Sequence, residues 1–166
     1  MESFIHCAGA VSFFSIKQFD YKLSKEMFDI NFFSACYIIK YLTSKNNKNY
    51  LKNIIFISSI SAKLGYKAMS IYSSSKASLD SLTRNLAVEL SPKVRVNSIS
   101  LAGIKTKKTE FLYNDDFIEK IKQNYPLGEG NVEDVANLVE FLCKEDSRWI
   151  TGQNIILDGG LSIMGK

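Results

Sequence analysis

The chain reads as an α/β protein built on a parallel sheet with crossover helices. Short apolar runs alternate with helix-period segments along the chain, and the run Ile54-Ile55-Phe56-Ile57 is apolar at every position. Such alternation is the pattern of strand, crossover helix and parallel strand. A strand without a polar face is one covered by helices on both sides. Phe4-Ile5-His6-Cys7-Ala8-Gly9 opens the chain as a strand ending in a glycine. Ser24 is placed to cap a helix over 25–44, with Met27, Phe28, Ala35, Ile38, Ile39 and Leu42 near one face. A polar loop, Lys45-Asn46-Asn47-Lys48-Asn49, then leads to a buried strand over 53–58. The helix predicted over 71–90 carries Leu79, Leu82, Leu86 and Leu90 at intervals of three and four, and Pro92 stops it. A third strand covers 94–99, and the segment 106–130 reads as mobile. Asn131 caps a helix over 132–143 whose first turn holds Glu133 and Asp134, and Ile155-Ile156-Leu157 forms a fourth strand before Asp158-Gly159-Gly160.

Composition narrows the function classes. At 166 residues, 46% of them hydrophobic, the chain is one domain's worth and fills a sizeable core. Its net charge of +4 comes from 18 Lys and only 3 Arg, dispersed rather than clustered, so no nucleic-acid partner is expected. Cys7, Cys36 and Cys143 are odd in number and far apart in apolar segments, and His6 is the sole histidine. That pattern predicts buried thiols in a reducing compartment, not a disulfide or a metal site. Met1-Glu2-Ser3 begins without a basic region or cleavage pattern, and no apolar run approaches a bilayer span. The expectation is a cytoplasmic protein with no membrane partner.

The chemistry is carried by Tyr72 and Lys76, four residues apart, with Ser58-Ser59 closing an apolar run thirteen residues before the tyrosine. On a helix these two positions share one face, so an ammonium can stand beside a phenol. A phenol has a reference pKa of about 10, and bringing it to about 7 takes roughly 4 kcal/mol of differential stabilisation of its anion, which a nearby cation supplies in a partly dry cleft. A tyrosine so tuned donates or accepts a proton near neutrality. Asn31 falls on the same helical face as Met27, Phe28, Ala35, Ile38 and Leu42, so an amide stands where an apolar residue would pack and must find partners. Each residue has a plainer reading beside the functional one. Tyr72 and Lys76 could be an exposed helical pair, Ser59 could end a strand or cap a turn, and Asn31 could bend its helix. The combination of all four favours a site.

Taken together these residues resemble the short-chain dehydrogenase/reductase family, close to its oxoacyl-carrier-protein reductase type, over nearly the whole chain. His6-Cys7-Ala8-Gly9 takes the place of the family's Asn-Asn-Ala-Gly, Asn31 that of the asparagine in the next helix, Ser59 that of the active-site serine, and Tyr72 with Lys76 that of Tyr-x-x-x-Lys. Arg95-Val96-Asn97-Ser98-Ile99, Glu133-Asp134-Val135-Ala136, Thr151-Gly152 and Asp158-Gly159-Gly160 match the later segments in order. The resemblance implies the C-terminal half of a Rossmann-type doubly wound parallel sheet, the family's strands four to seven, as a single partial domain. It implies NAD(P)-dependent hydride transfer between a nicotinamide and a carbonyl or alcohol, with 3-oxoacyl reduction as the expected type. Tyr72 would be the acid, and Ser59 would hydrogen-bond the reacting oxygen. Lys76 would lower the phenol's pKa and hold the nicotinamide ribose, and Asn31 would bind a water and Lys76. Ala8, Gly9, Ile104 and Thr106 would contact the NADP or NAD cofactor together with Tyr72 and Lys76. His6 is read as a packed strand residue. A homo-oligomer acting on a small molecule is implied for a full-length form.

The sequence departs from the family pattern twice. Leu101-Ala102 replaces Pro-Gly, and Gly103 is expected to supply the missing flexibility. The Gly-rich phosphate turn and two further strand-helix units, roughly 80–90 residues at about 30 per unit, have no counterpart in these residues. The only Gly-x-Gly, Gly128-Glu129-Gly130, leads into a helix start whose carboxylates would repel a phosphate, and is read as a loop turn. A rival reading is therefore a non-catalytic assembly or binding subunit. Phe111, Leu112, Tyr113 and Phe117, within the expected substrate lid over 106–127, either meet an apolar substrate or simply pack.

Overall fold

A computed structural model describes residues 2–44, 50–107 and 109–164, so the polar loop read at 45–49 lies outside the described residues. Four parallel strands form one sheet in the order β1 (Ser3–His6), β2 (Asn53–Ser59), β3 (Arg95–Leu101), β4 (Asn154–Leu157). Chain order equals spatial order, so every connection crosses over in the same sense along the sheet. The β2 pleat divides the core. Ile54 and Phe56 pack with Ala35, Ile39 and Leu79 on one face, and Ile55 packs with Ile99 and Leu142 on the other. The apolar run of β2 is thus covered on both sides.

The first helical region is where periodicity misleads. It is three elements, α1 (Tyr21–Phe28), a π-turn at Asp29–Phe33, and α2 (Ser34–Leu42), rather than one helix over 25–44. Its cap is Asp20, whose carboxylate accepts the Leu23 N–H at 2.9 Å; Ser24 lies inside the helix and donates its hydroxyl to the Asp20 carbonyl. The π-turn holds an extra residue and rotates α2 about its axis, so the buried positions are Met27, Asn31, Ala35 and Ile39, spaced by four, and Ile38 is left 42% exposed.

α3 (Ser70–Glu89) and α5 (Val132–Cys143) fall where predicted, the latter closed by Asn131 accepting the Asp134 N–H at 2.9 Å while Asp134 accepts the Asn131 N–H at 2.8 Å. The segment expected to be mobile contains α4 (Asp115–Asn124), capped by Asn114 and anchored by buried Ile121. Gly128 turns with φ +76° between α4 and α5, as a loop glycine. Arg95 joins β3 to the end of α5, its guanidinium donating to the carbonyls of Leu142, Lys144, Ser147 and Ile150. The thiols differ from expectation: all three are free, but Cys7 is exposed and Cys36 and Cys143 are half-buried, because they lie at the borders of the packed faces. No helix among the described residues is long and apolar enough to cross a membrane.

Candidate active site

The carboxyl ends of β1, β2 and β3 and the start of α3 bring the predicted residues to one edge. Ser59 ends β2 with its Cα paired to that of Leu101 on β3. It does cap a turn, since its oxygen accepts from the Ser61 N–H at 3.2 Å and from the Ser61 hydroxyl at 3.0 Å. Its hydroxyl also neighbours the Tyr72 phenol, where it favours the phenolate.

Lys76 is 5% exposed, one turn along α3, and its ammonium donates to the Ile57 carbonyl at 2.9 Å. The loop after β1 passes close by: a methyl at Gly9 would sit 3.4 Å from the ammonium and 3.6 Å from Asn31 Oδ1. The lowered phenol expected from this cation is not what the arrangement produces. Burial raises the Tyr72 pKa above its ordinary value, and the Ser59 hydroxyl offsets only part of that. The Lys76 charge acts instead on His6, which burial first and Lys76 second bring down to about 4.

Asn31 is fully buried in the π-turn and has different partners from those expected. Its oxygen accepts the Ala10 N–H at 2.6 Å, and its amide donates to the Ala10 carbonyl at 2.9 Å and to the Ser75 hydroxyl at 2.8 Å. An amide with both hydrogens committed in this way fastens the post-β1 loop to α3. His6 stays a packed residue, 2% exposed. Ser34 donates to the Ile30 carbonyl at 2.7 Å, so it accepts from His6 Nε2–H at 2.8 Å and the ring is the Nε2 tautomer.

The remaining predicted contacts line the same rim. Ala8 is exposed and Gly9 half-buried after β1; Ile104 is half-buried and forms a bridge with Gly130; Thr106 is exposed and bonded to Thr109. Gly103 has no left-handed conformation, so flexibility is not its role. A methyl there would meet Phe117 Cζ at 3.1 Å, and glycine is what lets that ring approach.

Two contributors escaped the sequence reading. Ser75 precedes Lys76 and is the partner of Asn31. Asp80, one turn beyond Lys76, is buried and accepts from Asn154 at 2.8 Å and from Ser98, while Ser58 nearby donates to the Lys76 carbonyl. Burial raises its pKa, with Ser58 the strongest opposing influence. A carboxylate placed i+4 from Lys76 was the available signal.

The fold and this edge define a parallel α/β half sheet that gathers Ser59, Tyr72 and Lys76 at its carboxyl end, and comparison places the chain among known proteins. The profile of the family described as Enoyl-(Acyl carrier protein) reductase matches residues 1–162. The chain belongs to the short-chain dehydrogenase/reductase family. A tropinone reductase homolog of Arabidopsis thaliana is 44% identical over 115 residues, 68% of this chain and 43% of that protein. Dehydrogenase/reductase SDR family member 4 of Sus scrofa is 38% identical over 111 residues, 65% of this chain and 40% of that protein. The chain therefore spans less than half the length of these relatives. The solved structure of a 4-hydroxyisoleucine dehydrogenase mutant complexed with NADH and succinate superposes with a TM-score of 0.92 at 27% identity, over 99% of this chain and 70% of that one.

Proposed function

We propose that this chain carries the catalytic half of an oxidoreductase that reduces a carbonyl, or oxidises the corresponding alcohol, with a nicotinamide dinucleotide. The observation that carries the reading is the gathering of Ser59 and Lys76 at the carboxyl end of the sheet, with Tyr72 one turn before Lys76 on α3 and the Lys76 ammonium held beside the Gly9 loop. The residues fit the nicotinamide portion of the cofactor: Tyr72 and Lys76 would hold the ribose, Ala8 and Gly9 the backbone approach, and Ile104 and Thr106 the ring's outer side. These 166 residues offer no Gly-rich turn for the pyrophosphate.

The reduced nicotinamide supplies hydride when bound. Tyr72 protonates the carbonyl oxygen, and its raised pKa keeps it in the acid form at neutral pH, which suits reduction. Ser59 orients the same oxygen and shares the charge developing on it. Lys76 stands one turn away to return the proton, and Asn31 is the positioning residue that fixes the loop from Ala8 to Ala10 against α3. A 3-oxoacyl substrate is the narrower reading; the description of the matching family names an enoyl group on the same acyl carrier, a carbon–carbon double bond rather than a ketone. The tropinone reductase and 4-hydroxyisoleucine dehydrogenase relatives support the wider class of small carbonyls and alcohols.

Replacing the proton donor while keeping the ring tests the reading. In the protein joined to a complete nucleotide-binding segment, Tyr72→Phe is expected to lower carbonyl reduction by at least about a hundredfold. Unchanged turnover with an unchanged pH profile rules Tyr72 out as the acid.

A further inference from the structure

Three aromatic side chains from α4 and its flanks converge on Gly103. A methyl at Gly103 would lie 3.1 Å from Phe117 Cζ and 3.5 Å from Tyr113 Oη. The Tyr113 and Phe117 rings meet edge to face, their centroids 5.1 Å apart. Tyr125 accepts the Gly103 N–H at 3.4 Å. Two of the three are accounted for: Phe117 packs on the glycine, and Tyr125 satisfies its amide. The Tyr113 hydroxyl is not. Its oxygen is buried with no hydrogen-bond partner among the described residues, and the Lys105 ammonium lies over the ring, 5.8 Å from its centroid. Leaving such a group unpaired costs stability, which phenylalanine would avoid at no loss of ring packing. Gly103 lies two residues past Leu101, whose Cα pairs with that of Ser59, so this aromatic cluster gathers where the chain leaves the edge that carries the proposed acid.

We propose that the Tyr113 hydroxyl is a ligand-reading group that donates a hydrogen bond to a neutral oxygen of the molecule bound at this edge. That oxygen is either a second oxygen on the carbonyl substrate or the carboxamide oxygen of the nicotinamide, and the proposal rests on the oxidoreductase reading above. A neutral acceptor fits better than an anion, because the Glu129 carboxylate already acts on this phenol. Burial and Glu129 together push its pKa up to about 12, so the group remains a donor across the physiological range.

Tyr113→Phe in the 166-residue chain tests this in two ways. Its thermal midpoint should equal or exceed the parent's, since an unpaired buried group has been removed. A fall of several degrees would mean that the hydroxyl is paired within the protein, and would overturn the proposal. Binding is then followed by NMR titration with reduced nicotinamide mononucleotide, with methyl acetoacetate, and with 2-pentanone, which lacks the second oxygen. The variant should bind one of the first two about tenfold more weakly, the loss of one net hydrogen bond, and whichever weakens identifies the source of the oxygen. Binding of 2-pentanone should not change. If the parent binds and the variant binds all three equally well, the proposal fails and the oxidoreductase reading stands. If the parent binds none of them, the proposal fails, and the oxidoreductase reading is decided separately by Tyr72→Phe in the completed protein.

Discussion

His6 shows how much a single side chain reveals about its surroundings. The imidazole is sealed between Phe4, Phe56 and the π-turn, and its Nδ1 has no hydrogen-bond partner among the described residues. Its pKa falls from 6.5 to about 4. The sign of the consequence is definite: between these values the unfolded chain binds a proton that the folded chain refuses, so stability is lost as pH falls from 6.5 to about 4 and levels off below. The shift corresponds to a loss of about 3 kcal/mol. Because His6 is the only histidine, its ring resonances titrate without ambiguity. Chemical denaturation of the parent and His6→Gln across that range should diverge; parallel curves would show that His6 is charged in the folded state.

At the scale of elements, the helix ends are where sequence and structure agree best, because a cap is a local device. Asn131 and Asp134 satisfy each other's backbone amides at the start of α5. Asn131→Ala should cost about 1 kcal/mol, and so lower the thermal midpoint by about 3 °C for a chain of this size. An unchanged midpoint would mean that α5 is held by the Leu142 core and the Arg95 clasp without help from its cap. The first helical region shows the opposite case. Asn31 was legible as an amide on an apolar face, yet the π-turn that buries it was not, since an extra residue in a turn leaves no mark on side-chain periodicity. Its partners were equally hidden: Ala10 and Ser75 reach Asn31 from 21 residues before it and 44 residues after it.

For the whole molecule, β1 is the end strand of the four, with β2 paired on one side only. Phe4-Ile5-His6-Cys7 is apolar and carries neither proline nor lysine, the residues that blunt an edge. The isolated chain is therefore expected to associate through this strand and to be marginally stable. Light scattering and hydrogen exchange over residues 3–9 measure it. A monodisperse monomer with fast-exchanging β1 amides and a cooperative thermal transition would show that this half sheet is self-sufficient. Without a Gly-rich turn in these residues, the same chain should bind nicotinamide dinucleotides only weakly, as titration with the reduced cofactor would show.

The sequence by itself determined the parallel sheet, its four strands and the helices α3 and α5, and it named Asn31, Ser59, Tyr72 and Lys76 as candidates. Apolar runs and fixed spacings record local geometry, and the Tyr72–Lys76 interval is set by the helix that carries it. Tertiary structure alone decided what those groups touch. It turned Asn31 toward Ala10, let Ser59 serve both Ser61 and Tyr72, and raised rather than lowered the phenol. It also assembled Asp80 with Ser58, Ser98 and Asn154, and left Tyr113 without a partner among the described residues. The physical reason is range. Hydrogen-bond pairing and desolvation depend on groups brought together across the sheet, and no pattern along the chain encodes the low-dielectric surroundings that set a buried group's charge.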